Sequence, residues 1–347
     1  MPPKKKTTSG NGSAQPARDQ LKAAVMAPAL TSRLAHIPSP ARFVLVVFGS
    51  LLASSVFFTL TSSLTRGDLG LVSKHLEEWW EVVGLIAWRA VEIGLVWSLG
   101  FDGRDVASFL FLTHLPTYSL LSFFYGVRPS SALVSYTITV ASSAVPFIFL
   151  RRPASVHDLS HAATDAVANR SILQDRLTTI YTTLAATSIF TVVLYASYAS
   201  WLPAQLVVHF ESIPDISAAH AGPAGLPVLF LTLVPAGWAV RDFLFVSSAG
   251  NSTGAAEPTP PPTPHEGEYL IVGLYHKSWG QLSKKTRVLV SRTAVLTTAV
   301  LLNTIVQVAG TIRSVSVEGA SAWGAVWAVA TLTVGATFGW IEAVDGV

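Results

Sequence analysis

The chain contains no cysteine, which excludes disulfides, thiolate metal sites and thiol nucleophiles. Charge is scarce as well. Asp, Glu, Lys and Arg together make up 12% of the 347 residues, about half the ~25% usual in soluble domains. Nucleotide-binding and zinc-protease signatures are missing: the sequence holds no G-x-x-x-x-G-K-[ST] and no H-E-x-x-H, nor a G-x-G-x-x-G after a strand. An ATP-driven pump or a cytosolic enzyme domain is therefore not expected. Acid is almost absent from residues 1–42, where Asp19 stands alone against seven basic residues. That leader lacks a long apolar run, so no cleavable signal peptide is expected.

What fills the chain is apolar sequence. Half of the residues are hydrophobic, and mean hydropathy is +0.49. Phe43–Leu64 runs without an ionisable side chain. A helix rises about 1.5 Å per residue, so about 20 such residues cross a ~30 Å hydrocarbon layer. Eight stretches fit that requirement: 43–64, 80–100, 106–127, 130–150, 178–200, 224–246, 288–310 and 320–341. The expected fold is an all-α bundle of about eight transmembrane helices.

The division follows directly. Residues 1–42 form a disordered basic leader, and 43–246 hold spans 1 to 6, with an amphipathic helical loop at 151–177. A Pro/Thr-rich disordered linker occupies 247–268, and 269–347 hold an interfacial segment and spans 7 and 8. The linker core, PTPPPTP, favours polyproline II and would suit an SH3- or WW-type partner. Sixteen basic residues fall on the leader's side of the eight spans and four on the other. The positive-inside rule then puts both termini in the cytosol. The basic residues flank spans, so the lipid bilayer and other membrane proteins are the expected partners, and nucleic acid is not. Short spans suit a thin bilayer such as the endoplasmic reticulum, with a mitochondrial membrane as the alternative raised by the acid-poor leader.

Polar residues inside the spans carry what chemistry there is. Span 2 holds Arg89 and Glu92, three residues apart and on one helix face. The turn at 101–105 is short enough to make spans 2 and 3 an antiparallel pair, which brings Glu92 level with His114. An intramembrane Arg/Glu/His layer can serve as a proton relay or as a clamp that neutralises itself. Asn303 and Gln307 in span 7 lie one turn apart and suit hydrogen bonding between helices. His157, His161 and Asp165 recur at i, i+4 and i+8, a ligand spacing. No second histidine box accompanies them, so no metal and no cofactor are assigned. The expected role is a non-enzymatic structural, scaffolding or assembly component of an endomembrane. A proton-coupled transporter using Arg89, Glu92 and His114 is the alternative, and a lipid-modifying enzyme the more remote one.

Three Asn-x-Ser/Thr acceptors, at Asn11, Asn169 and Asn251, all fall on the leader's side. None should be glycosylated. A mass shift removed by endoglycosidase on the full-length chain would reverse the orientation.

Overall fold

The computed structural model describes residues 37–163, 166–211, 213–251 and 282–345. The fold is all-α, without a strand among the described residues. The elements are α1 (Ser39–Leu60), α2 (Ser62–Val72), α3 (Trp79–Ser98), α4 (Gly103–Phe124) and α5 (Pro129–Leu150). They continue with α6 (Arg170–Gln174), α7 (Arg176–Ala199), α8 (Leu202–His209), α9 (Leu226–Val240), α10 (Lys284–Thr311) and α11 (Val317–Asp345). Seven helices are long and apolar enough to cross a membrane. The chain is a polytopic membrane protein.

The eight expected spans all meet helices, with two corrections. The second, α3, does not count among the seven, because Glu81, Arg89 and Glu92 lie within its 20 residues. The first ends at Leu60. Thr61 then leaves helical geometry before α2 begins, and α2 is a separate 11-residue helix.

Burial ranks the helices. In α4, 61% of the apolar window is buried, against 11% in α1. Helices α4, α10, α11, α7 and α9 close a ring, and α5 and α1 lie outboard of α4. Outward-facing positions remain apolar: Phe48, Leu52, Leu133, Val192 and Leu231 are all more than 60% exposed. A surface of that kind is stable only where hydrocarbon is the solvent. Trp323 and Trp327 of α11 are buried at the ring's centre among Phe124, Phe190 and Tyr198.

Close approach depends on small residues. A Cβ at Gly237 of α9 would collide with Thr187 of α7, and one at Gly335 of α11 with Thr293 of α10. Both glycines therefore set the spacing of neighbouring helices, as expected where lipid supplies no hydrophobic drive between them.

The connecting segments depart further from expectation. The 151–177 loop is not a continuous amphipathic helix. It runs as turns up to the five-residue α6, and Asn169, at φ 47, sets the entry to it. The linker does not begin at residue 247, because Ser247–Ala249 are helical and buried. They extend α9 through a π-helical turn, Arg241–Val246, giving one long helix, Gly222–Ala249. The proline-rich core and the proposed interfacial segment lie outside the described residues, as does the leader through residue 36. Between spans 5 and 6 the chain forms α8 and two 3-10 turns.

Gly237→Val and Gly335→Val should each destabilise the bundle by about 1–3 kcal/mol through overpacking. Gly84→Ala is the control, since nothing lies within 4 Å of its added carbon. It should hold or raise the melting temperature of the detergent-purified protein. Equal losses at all three positions would remove the packing argument.

Candidate functional site

Two polar assemblies sit in the bundle, one at the middle of the helices and one where helix ends converge. The first brings together Arg89, Glu92, His114 and Asn303. Arg89 of α3 lies 2.9 Å from Glu92 Oε2 and 3.0 Å from His114 Nε2 of α4. Its other terminal nitrogen donates to the Thr139 carbonyl at 2.7 Å and to Ser143 Oγ at 2.6 Å, both on α5. Glu92 Oε1 stands 3.3 Å from His114 Nε2. Glu92 and His114 are buried.

Asn303 ties this histidine to α10. The Trp88 indole N–H can only donate, and it donates to Asn303 Oδ1 at 2.9 Å. Asn303 Nδ2 then faces the Thr113 carbonyl at 2.9 Å and His114 Nδ1 at 3.3 Å. The Arg89 guanidinium can only donate, so His114 Nε2 accepts from it at 3.0 Å. Gln307, one turn along, is half-buried and lines a separate 210 Å³ cavity with Thr117 and Tyr118.

The region around Pro116 adds to the layer. Proline cannot donate to the helix, and backbone acceptors nearby serve other helices. Tyr136 of α5 donates to the Phe111 carbonyl, Asn303 of α10 to that of Thr113, and Trp323 of α11 to that of Pro116.

The second assembly was not anticipated. Asp102 caps α4, and its Oδ1 accepts from the backbone N–H of Arg104 and Asp105. Its Oδ2 accepts from the Ala154 N–H and from His157 Nδ1, both at 2.8 Å. Asp105 holds Arg292 of α10 in a two-pronged pair at 2.7 and 2.8 Å. Arg104 holds Asp242 of the π-helical turn at 2.8 and 2.9 Å. Phe101 and Phe243 flank the Arg292 guanidinium at 4.8 and 4.9 Å from their ring centres. Ser248 donates to Glu342 of α11 nearby.

Sequence signals for this assembly did exist. Arg241, Asp242 and Arg292 were isolated charges within spans, and each needs a partner in low dielectric. Asp102 is an N-cap residue with the usual pattern. Nothing in the spacing, however, tells which distant charge pairs with which.

The histidine spacing in the 151–177 loop resolves differently from expectation. His157 turns inward to Asp102, while His161 is exposed and pairs locally with Asp158 at 2.8 Å. Asp165 lies outside the described residues. Asp102, Asp105 and His157 do come within ligand distance of one another. The four acceptor positions of Asp102 are already filled, and both oxygens of Asp105 hold Arg292. The donor set is spent on hydrogen bonds, which fits an ion-pair network better than a metal centre.

Burial pushes the Asp102 carboxyl up, but hydrogen bonding and charge from His157, with the backbone donors, hold it down to about 2. Burial pushes the His157 imidazole down. The carboxylates of Asp102, Asp105 and Asp242 outweigh that and raise it above its ordinary 6.5.

Residues 175–306, a little over a third of the chain, match the family described as Bouquet formation protein 3 C-terminal domain. The matched stretch includes Arg241, Asp242, Arg292 and Asn303, whereas Arg89, Glu92, Asp102, Asp105 and His114 precede it and lie outside the match. No match was found among curated proteins or among solved structures.

The Asp102–His157 pair should make stability depend on pH at both ends. The depressed carboxyl contributes stability that is present above its ordinary 3.8 and lost as pH falls toward about 2. The raised imidazole contributes stability that is full below 6.5 and lost as pH rises through its folded-state value. Melting curves of the full chain in detergent should therefore fall as pH rises above 6.5. His157→Gln should flatten that limb, and an unchanged profile would show that the pair carries no such linkage.

Proposed function

We propose that the chain is a non-enzymatic structural or assembly component of the endoplasmic reticulum and the nuclear envelope continuous with it, acting through other membrane proteins. The family matched by residues 175–306 is named for bouquet formation, which is linked to the nuclear envelope and endoplasmic reticulum. That name supports the compartment, and both termini are read as cytosolic from the distribution of basic residues.

The observation that carries the reading is how the intramembrane charges are used. Arg89 is spent on Glu92, the Thr139 carbonyl and Ser143, and Asn303 anchors His114. Arg89, Glu92 and His114 line none of the five leading cavities among the described residues. A proton or substrate path needs such groups to meet water. A clamp needs them to meet each other. The second reading, a proton-coupled transporter, rests on the 3.3 Å contact between Glu92 and His114.

Glu92→Gln separates the two. Removing one member of a buried pair leaves Arg89 uncompensated, at about 3–5 kcal/mol. The structural reading expects the variant to fall sharply in abundance, and the wild-type full chain to co-purify from mild detergent with a stoichiometric membrane-protein partner. Normal abundance of Glu92→Gln, together with loss of pH-driven flux in proteoliposomes, would establish the transporter instead.

A further inference from the structure

Arg241 is the one arginine or lysine among the described residues that is buried, and it forms no ion pair with any of them. Arg89 has Glu92, Arg292 has Asp105 and Arg104 has Asp242. Arg241 has only the Thr179 hydroxyl of α7, to which its Nη2 donates at 2.9 Å, and the Trp238 ring at 5.9 Å. Its Nε is buried without a hydrogen-bond partner. A guanidinium carries five N–H donors, so most of the capacity of this one is unused. The acids closest to it are taken. Asp242, the next residue, is gripped two-pronged by Arg104. Asp175, one turn before Thr179, accepts from Leu177 and Thr178 at the start of α7. Arg104, Asp242 and Arg241 together leave one positive charge over.

The backbone puts that charge at a span end. Arg241 opens the π-helical turn of the long helix Gly222–Ala249, a distortion frequent at functional sites. Consecutive residues there face different neighbours: Asp242 reaches Arg104 of α4, and Arg241 reaches Thr179 of α7. Thr179 lies in the first turn of α7, Arg176–Ala199, so the guanidinium is level with the end of that span. Long basic side chains bring their heads to the headgroup layer at such positions. One turn deeper, Gly237 packs against Thr187 and the Thr183 carbonyl, and α7 and α9 are in close contact. Trp238 is 49% exposed and Ile180 51%, so the Arg241–Thr179 contact lies on the bundle's outer flank. The half-exposed indole is the side chain that yields to a ligand, since such rotamers change readily.

We propose that Arg241, with Thr179 and Trp238, binds the phosphate of a phospholipid headgroup in the leaflet on that side. The phosphate supplies the missing counter-charge and accepts from the unused guanidinium N–H groups. Thr179 holds Nη2 and so orients the fork, and the Trp238 ring lies at the depth that indole favours. Basic sites between transmembrane helices take lipid headgroups by this chemistry. The site is independent of the scaffold reading, since a transporter with this fold would carry it equally.

The test is a thermal-shift titration of the full chain, purified in detergent and stripped of lipid. The probes are dioctanoyl phosphatidylglycerol, dioctanoylglycerol and inorganic phosphate. Phosphatidylglycerol should raise the melting temperature, and dioctanoylglycerol, which lacks the phosphate, should not. Arg241→Gln should weaken the apparent affinity for phosphatidylglycerol at least tenfold. Arg241→Lys, which keeps the charge and loses the planar fork, should fall between that variant and the wild type. Arg313→Gln at the opposite end of the bundle should bind as the wild type does. Neutralising Arg241 leaves no carboxylate unpaired, so lipid-stripped Arg241→Gln should melt at or above the wild-type temperature. A lipid-stripped Arg241→Gln that melts well below it would assign the cation a partner within the protein and overturn the site. So would no response in the wild type, an equal response to dioctanoylglycerol, inorganic phosphate as effective as the lipid, or unchanged affinity in Arg241→Gln.

Discussion

A charge that enters this bundle must be met inside the protein, by a counter-charge or a hydrogen-bonding group, because hydrocarbon offers neither. An unpaired Arg, Lys or Asp at mid-span costs about 2.5–3.5 kcal/mol on insertion scales. The pairs that answer this constraint also determine the architecture. Arg89–Glu92 ties α3 to α4 and α5 through His114 and Ser143. Arg104–Asp242 and Asp105–Arg292 tie α4 to the end of the long helix Gly222–Ala249 and to α10. Helix α4 takes part in all three, and it is the most buried span. The fold is organised around a helix whose carbonyls and carboxylates are claimed by its neighbours.

The two polar assemblies use different physics. At the middle of the helices, hydrogen-bond direction matters most: Trp88 orients an amide, the amide orients an imidazole, and the imidazole meets a carboxylate. At the helix ends, Coulomb pairing dominates. Two arginines each grip a carboxylate two-pronged, and phenyl rings shield one of them. The first arrangement specifies register, the second holds the ends of the bundle together.

The helices could be read from the chain because their signal is local. Twenty apolar residues define a span whatever lies around them, and Phe43–Leu64 or residues 320–341 needed no partner to be recognised. The meeting of Glu92 with His114 was legible for a related reason: a short turn fixes the depth of two consecutive helices. The boundary errors are local too, since Thr61 carries no sequence mark of a break, and Ser247–Ala249 look like linker until their burial is known. The helix expected at 151–177 failed because helical spacing of apolar residues does not exclude a turn-rich path tied down by Asp102. Long-range choices had no such signal. Whether Arg292 chooses Asp105 or Asp242 depends on which helices are neighbours, and that is a property of the folded bundle.

The separation of Asp105 from Arg292 bears on how the molecule is made. The two are 187 residues apart. At translation rates of ~5–20 residues per second, Asp105 waits roughly 10–40 s for its guanidinium to emerge from the ribosome. Throughout that interval a carboxylate in the first turn of α4 lacks the guanidinium that pairs with it, and α4 lacks the helix that covers one of its sides. Insertion of the early helices must therefore be provisional, either kept near the translocon or shielded by another membrane protein until α10 arrives. A chain truncated before α10 would expose that carboxylate permanently, which gives quality control a chemical mark for unfinished copies.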